Sequence, residues 1–356
     1  MNMIKTKYQP ITVKKDGDDV QFGPIRIPGY RGRDAVPDTI EWFRFTDQHV
    51  DIVMDIISGN RVVLTGHTGC GKTTALEQVA SRIGVGVTVL NMSECTDSSS
   101  LLGSYVARKE SAEDKTSSTI FMDGPLVTAM KEGRWVIMDE MDFASPGVMT
   151  LLNGISSTTK NFLNQEVAGG EVVTVHPDFR LMGTANTIGP MADYRHLYSG
   201  TPPMNPAQLE RYRVHVIDYL NEEEEVEAVL GGSVAQIVSI GGRGEEVNAQ
   251  LVLPFVRMAN SIRELFVQGE ISTPISTRGI INWVAILIRN ISVYRNVKTK
   301  GDIIAAVERA AGPSILNKMS TADAMKVMEM MTATNLFASL TTDTVKNETP
   351  KKKKEA

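Results

Sequence analysis

The chain has 356 residues, of which 42% are hydrophobic, carries a formal net charge of −5 and contains two cysteines, Cys70 and Cys95. That length supports one large or two modest domains with a buried core. No apolar run reaches the roughly 18 residues that span a bilayer, and the N-terminal "MNMIKTKYQP" lacks the apolar stretch of a secretory signal, so the expected compartment is the cytosol with no membrane partner. Two cysteines make neither a disulfide framework nor a zinc site, and the acidic balance gives no general attraction to nucleic acid.

Residues 1–35, rich in Gly, Pro and charge without sustained periodicity, are expected to be an irregular arm. A helix over about Asp47–Ser58 follows from the spacing of Val50, Ile52, Val53, Ile56 and Ile57, with Gly59 as its stop. Five short apolar runs come next: "RVVLTG" (61–66), "VGVTVLN" (85–91), "RWVIMDE" (134–140), "FRLMGTAN" (179–186) and "RVHVIDYL" (213–220). Runs with so little polar alternation fit strands buried on both faces, and the helical stretches between them imply parallel connections. The reading is an α/β core over 36–220 around a five-stranded parallel sheet. Two segments, about 104–124 and 161–176, read as β-hairpins, the second with Gly169-Gly170 at its turn. From 221 to 340 the helical pattern takes over, in "NEEEEVEAVLGG" and then 246–268, 276–296, 301–311 and 321–337, as an all-helical lid. The Lys-rich end, 341–356, is expected to be a disordered tail.

"GHTGCGKT" has the G-x-x-x-x-G-K-[ST] spacing between an apolar strand and a helix. Its residues Gly66, His67, Thr68, Gly69, Cys70, Gly71, Lys72 and Thr73, with Thr74 beyond, would wrap backbone N–H groups around phosphate oxygens at a helix N-terminus. Lys72 would reach the β- and γ-phosphates of ATP and the Thr73 hydroxyl would ligate Mg²⁺. Cys70 is expected there for its small size.

"RWVIMDEMD" places Asp139 and Glu140 at a strand end, where open α/β sheets carry their chemistry. Adjacent side chains diverge, so Asp139 is assigned to Mg²⁺ through water and Glu140 to polarising the attacking water. Asn186, ending the fourth run, could bond both the γ-phosphate and that water, and Asn91, ending the second, could restrain Glu140 or simply close a turn. Arg211, just before the fifth run, and Arg213, at its start, await an anionic partner.

Together, "GHTGCGKTTALEQVA", "SECTDSSSLLGSY", "DGPLVTAMKEGRWVIMDEMDFASPGVM", "FRLMGTANTIG" and "LYSGTPPMNPAQLERYRVHVIDYL" resemble the AAA+ ATPases, in their MoxR branch, and especially the CobS-type ATPase subunits of cobaltochelatase, over about residues 36–230. The resemblance implies a P-loop ATPase core with a helical lid, assembled as a homo-oligomeric ring, usually a hexamer, with nucleotide at subunit boundaries. It places Asn186 at the sensor 1 position, Arg211 at the arginine finger that reaches a neighbouring subunit, and Arg278, in "ISTRGIINWV", at sensor 2. Arg213 would support Arg211 or pair with an acid. The two hairpins would match insertions that approach a central pore. Members commonly work with a protein partner carrying a von Willebrand A domain. The leading expectation is therefore an ATP-driven ring that remodels a protein partner. The alternative is the motor subunit of a metal chelatase, followed by a nucleic-acid motor and by a ring that uses ATP only for assembly.

Overall fold

The computed structural model describes residues 8–30, 34–108, 118–155, 159–189, 191–192, 201, 204–240, 247–294, 299–333, 337 and 340. The Lys-rich tail lies outside the described residues, as do the middle of the 104–124 hairpin and most of 193–203.

Where an irregular arm is expected, β1 (Val13–Asp16), β2 (Asp19–Phe22) and β3 (Ile25–Pro28) form an antiparallel sheet. Its turns use Gly17 and Gly23 at φ of 65° and 56°, and it buries Val20, Phe22 and Ile27. Three strands sharing one apolar face are enough to hold such short segments.

The helix α1 (Asp47–Ile57) leads into β4 (Arg61–Thr65), which is followed by α2 (Lys72–Ile83) and β5 (Val87–Asn91). Next come α3 (Ser98–Leu102), the hairpin β6 (Gly103–Arg108) and β7 (Ser118–Asp123), then α4 (Pro125–Glu132), β8 (Trp135–Asp139) and α5 (Pro146–Asn153). A second antiparallel hairpin, β9 (Asn161–Asn164) with β10 (Glu171–Thr174), precedes β11 (Arg180–Ala185), α6 (Pro206–Leu209) and β12 (Tyr212–Val216). The main sheet is parallel and five-stranded, in the order β12-β4-β11-β8-β5. Val62, Val63, Leu64, Val136, Ile137 and Met138 have no exposed surface, which accounts for their uninterrupted apolar pattern. The parallel register sets Ala185 beside Thr65, Gly183 beside Met138 and Asn91 beside Asp139, so the carboxyl ends of four strands meet at one edge.

The chain divides into two compact units. The first is Met1–Ile40, Phe45–His67 and Lys72–Ile217; the second is Glu41–Arg44, Thr68–Gly71 and Asp218–Ala356. The second contains α7 (Glu222–Ser239), α8 (Ala249–Val267), α9 (Thr277–Tyr294), α10 (Lys300–Ser314) and α11 (Thr321–Ala333). Asn221 caps α7 by accepting the Glu224 N–H at 2.9 Å, and four glutamates occupy the first turn, where the helix dipole favours them. The helices close on Phe255, Trp283 and Phe337, with Phe255 edge-on to both other rings at 4.9 and 5.0 Å. Contacts of that kind contribute about 0.5–1.5 kcal/mol each beyond area burial. The Trp283 indole N–H is satisfied by the Val307 carbonyl at 3.0 Å. Among the described residues no helix is long and apolar enough to cross a membrane.

Candidate active site

The loop from Gly66 to Gly71 joins β4 to α2, and Lys72 and Thr73 open that helix. Gly69 and Gly71 have φ of 72° and 93°, conformations that a side chain would strain. Gly69 has a second constraint, because a Cβ there would lie 2.1 Å from Cβ of Ser276. Lys72 is 8% exposed and its ammonium donates to the carbonyls of Gly66 and His67, at 2.9 and 3.0 Å, and to Asn186 Oδ1 at 2.8 Å. The lysine and the strand-end asparagine, far apart in sequence, are therefore in direct contact.

Asp139, at the end of β8, accepts the Thr73 hydroxyl at 2.6 Å and the Thr184 hydroxyl at 2.5 Å, both on Oδ1. Thr184 in turn accepts the Glu140 N–H at 3.1 Å. Glu140 has left-handed backbone, φ 56° and ψ 43°, which is uncommon for a residue with a side chain. Partial burial of its carboxyl, reinforced by the neighbouring charges of Asp139 and Asp142, raises its pKa above the usual carboxylate range; Lys72 opposes the shift.

Asp142 is a residue that reading the sequence missed. Its carboxylate is buried, and Oδ2 accepts the backbone N–H groups of Asn186 and Thr187, at 2.9 and 3.0 Å, and the Thr187 hydroxyl at 2.8 Å. The acid two residues after Glu140 thus ties the turn after β8 to the end of β11 and holds Asn186 in place. An Asp142→Ala chain would leave two backbone donors without an acceptor. It is expected to lose at least about 2 kcal/mol of stability in urea unfolding, and Asp142→Asn, which keeps one acceptor oxygen, less. An unchanged midpoint for Asp142→Ala would show that the carboxylate does not hold this turn.

The remaining predicted residues are not drawn into this cluster. Asn91 is beside Asp139 in register, yet among the described residues it makes no hydrogen bond to Glu140. Arg211 is exposed just before the edge strand β12, and its guanidinium donates to the Asn153 carbonyl at 3.4 Å, a carbonyl that Arg61 also reaches at 3.1 Å. Arg213 and Arg278 are exposed, the latter in the first turn of α9.

Residues 61–199 match the AAA domain of the dynein-related subfamily. The aerobic cobaltochelatase subunit CobS of a Sinorhizobium species is 31% identical over 264 residues, covering 73% of this chain and 75% of that protein. The chain belongs to the AAA ATPase family. Two further relatives match over different extents. Midasin of Giardia intestinalis is 31% identical over 175 residues, 49% of this chain but 3% of that protein. An uncharacterised protein of Staphylococcus epidermidis is 28% identical over 211 residues, 59% of this chain and 71% of that one. The AAA match covers the phosphate loop, Asp139, Glu140 and Asn186, and ends before Arg211.

The donor set suits a magnesium nucleotide. A hydroxyl and a carboxylate 2.6 Å apart, Thr73 and Asp139, are the hard oxygen groups that Mg²⁺ takes. Among the described residues no group of three or more His, Cys, Asp and Glu side chains is arranged to hold a metal, so the ion would depend on phosphate oxygens and water for its other positions. The buried ammonium of Lys72, held by the Gly66 and His67 carbonyls and by Asn186 Oδ1, is a positive charge placed where a polyphosphate would bind.

Proposed function

We propose that the chain hydrolyses ATP as a homo-oligomeric ring, most simply a hexamer, in the cytosol, and uses the energy to remodel or activate a protein partner. The observation that carries the proposal is the meeting of Lys72, Thr73, Asp139 and Asn186 at the carboxyl edge of the sheet, with the Glu140 carboxyl near enough to feel the charges of Lys72 and Asp139. In this reading residues 66–74 bind the phosphates, with Lys72 on the β- and γ-groups, and Thr73 and Asp139 hold Mg²⁺, which would offset developing charge on the phosphate oxygens. Glu140 accepts a proton from the attacking water, and Asn186 donates its amide to that water or to the γ-phosphate. Arg211, exposed and loosely bonded, completes the site of the next subunit, and Arg278 acts as the lid's sensor.

A protein partner is supported by the two hairpins. Tyr105, Met122, Leu163 and Val172 are exposed apolar side chains on them, and Tyr105 and Leu163 line one groove. The hairpins are joined, since Tyr105 Oη accepts the Ala168 N–H at 2.8 Å. A partner with a von Willebrand A domain is the first to test. The second reading, the motor subunit of a metal chelatase, is favoured by the extent of the CobS match. Purified chain is expected to release phosphate from ATP only with Mg²⁺ and to form rings by light scattering when nucleotide is present. A monomer with no turnover under those conditions would overturn the proposal.

A further inference from the structure

Within the second unit, a network built on the buried pair Arg263 and Glu225 touches the tip of the phosphate loop and contains no residue to which the proposed hydrolysis gives a role. Tyr219 donates its hydroxyl to the Thr68 carbonyl at 2.8 Å. Over its ring lies the Arg263 guanidinium, with Cζ 3.7 Å from the centroid. Arg263 is 6% exposed and makes two 2.7 Å bonds to the carboxylate of Glu225, which has no exposed surface. Its Nε donates to the Ile275 carbonyl at 2.7 Å, and Nη1 also reaches Asn260 Oδ1 at 2.9 Å. Glu225 accepts a further bond, from the Thr277 hydroxyl at 2.7 Å, and Thr277 is the first residue of α9.

Apolar residues could fill such a space with comparable stability, so a buried ion pair is weak evidence for a stabilising role. What this pair supplies is direction. The paired bonds to Glu225 and the bond to Ile275 fix the plane of the guanidinium, which leaves one flat face for the Tyr219 ring. The Tyr219 hydroxyl is thereby aimed at Thr68. From another side Ser276 packs on Gly69, closely enough to exclude a Cβ. Tyr219, Ser276 and Thr277 are all anchored through Arg263 and Glu225, directly or by a chain neighbour.

We infer that Tyr219 is a positioning residue for the phosphate loop, and that the Arg263–Glu225 pair couples occupancy of the loop to the first turn of α9, which carries Arg278. The inference rests on the reading that the loop binds nucleotide. Linkage makes the coupling reciprocal: whatever orders that turn tightens the loop's hold on its ligand, and the ligand orders the turn to the same degree.

The test is Tyr219→Phe in the full chain, which removes one hydroxyl and keeps the ring under Arg263. ADP is titrated calorimetrically, and amide hydrogen exchange at 276–280 is followed with and without ADP. In the unsubstituted chain ADP should slow exchange in that turn. Tyr219→Phe should weaken ADP binding about two- to tenfold, the range of one hydrogen bond, and abolish the slowing. Arg263→Lys, which keeps the charge and loses the planar pairing, should likewise abolish it. Unaltered ADP affinity in Tyr219→Phe would overturn the inference. So would weaker binding with the ADP-dependent slowing intact, since a merely structural hydroxyl would behave that way. Failure of the unsubstituted chain to bind ADP is a separate outcome, which would overturn the nucleotide reading of the loop and this inference with it.

Discussion

A Glu140→Gln chain should bind Mg²⁺–ATP about as well as the unsubstituted chain and release phosphate at least about a hundredfold more slowly, the low end of what a positioned general base contributes. The replacement is nearly isosteric and leaves Thr73, Asp139 and Thr184 bonded as they are, because none of them touches the Glu140 carboxyl. Its effect therefore falls on the proton and not on the ligand. The carboxyl's raised pKa gives a second signature in the unsubstituted enzyme. A base must be deprotonated to act, so turnover should fall on acidification at a higher pH than an ordinary Glu would produce. That acid limb should disappear from the residual rate of Glu140→Gln. Single-turnover measurements across pH would decide the point, and undiminished turnover in Glu140→Gln would remove Glu140 from the mechanism.

Arg211→Ala should show a comparable or larger loss, up to about three to five decades if the guanidinium stabilises transition-state charge as arginine fingers do in GTPases. The informative experiment mixes the two inactive chains. Each Glu140→Gln subunit keeps Arg211, and each Arg211→Ala subunit keeps Glu140. If Arg211 acts on a neighbour's nucleotide, mixed rings contain some complete sites and activity returns. If it acts within its own chain, no mixture can be active. The Arg211 guanidinium is exposed and its bond to the Asn153 carbonyl is long, 3.4 Å, so its removal should leave the thermal midpoint close to that of the unsubstituted chain.

The parts of the fold that were legible are those where one physical requirement acts on consecutive residues. Strands β4 and β8 are buried on both faces, so Val62–Leu64 and Val136–Met138 read as unbroken apolar runs. The phosphate loop was legible because its glycines answer to backbone geometry, which is local. The N-terminal sheet was not. Its strands have four residues each, too few for periodicity to register, although "DG" and "FGP" mark its turns. Asp142 was passed over because an acid after a strand-end pair reads as a solvated turn, and its three donors come from residues more than forty positions away. The left-handed backbone of Glu140 has no sequence mark, and the pairing of Arg263 with Glu225, 38 residues apart, is visible only once α7 and α8 are packed.

The contact between Lys72 and Asn186 bears on why that strand should end in an amide. The asparagine gives its oxygen to the ammonium, so the group left to point elsewhere is its NH₂, which can only donate. Anions and the lone pairs of water are what such a group attracts. An aspartate of the same shape would reach the lysine equally well, but its charge would cancel the one the loop presents and would repel phosphate. A neutral oxygen orients the ammonium and leaves its charge undiminished, so one side chain serves as both tether and donor because it is polar at two ends and ionised at neither.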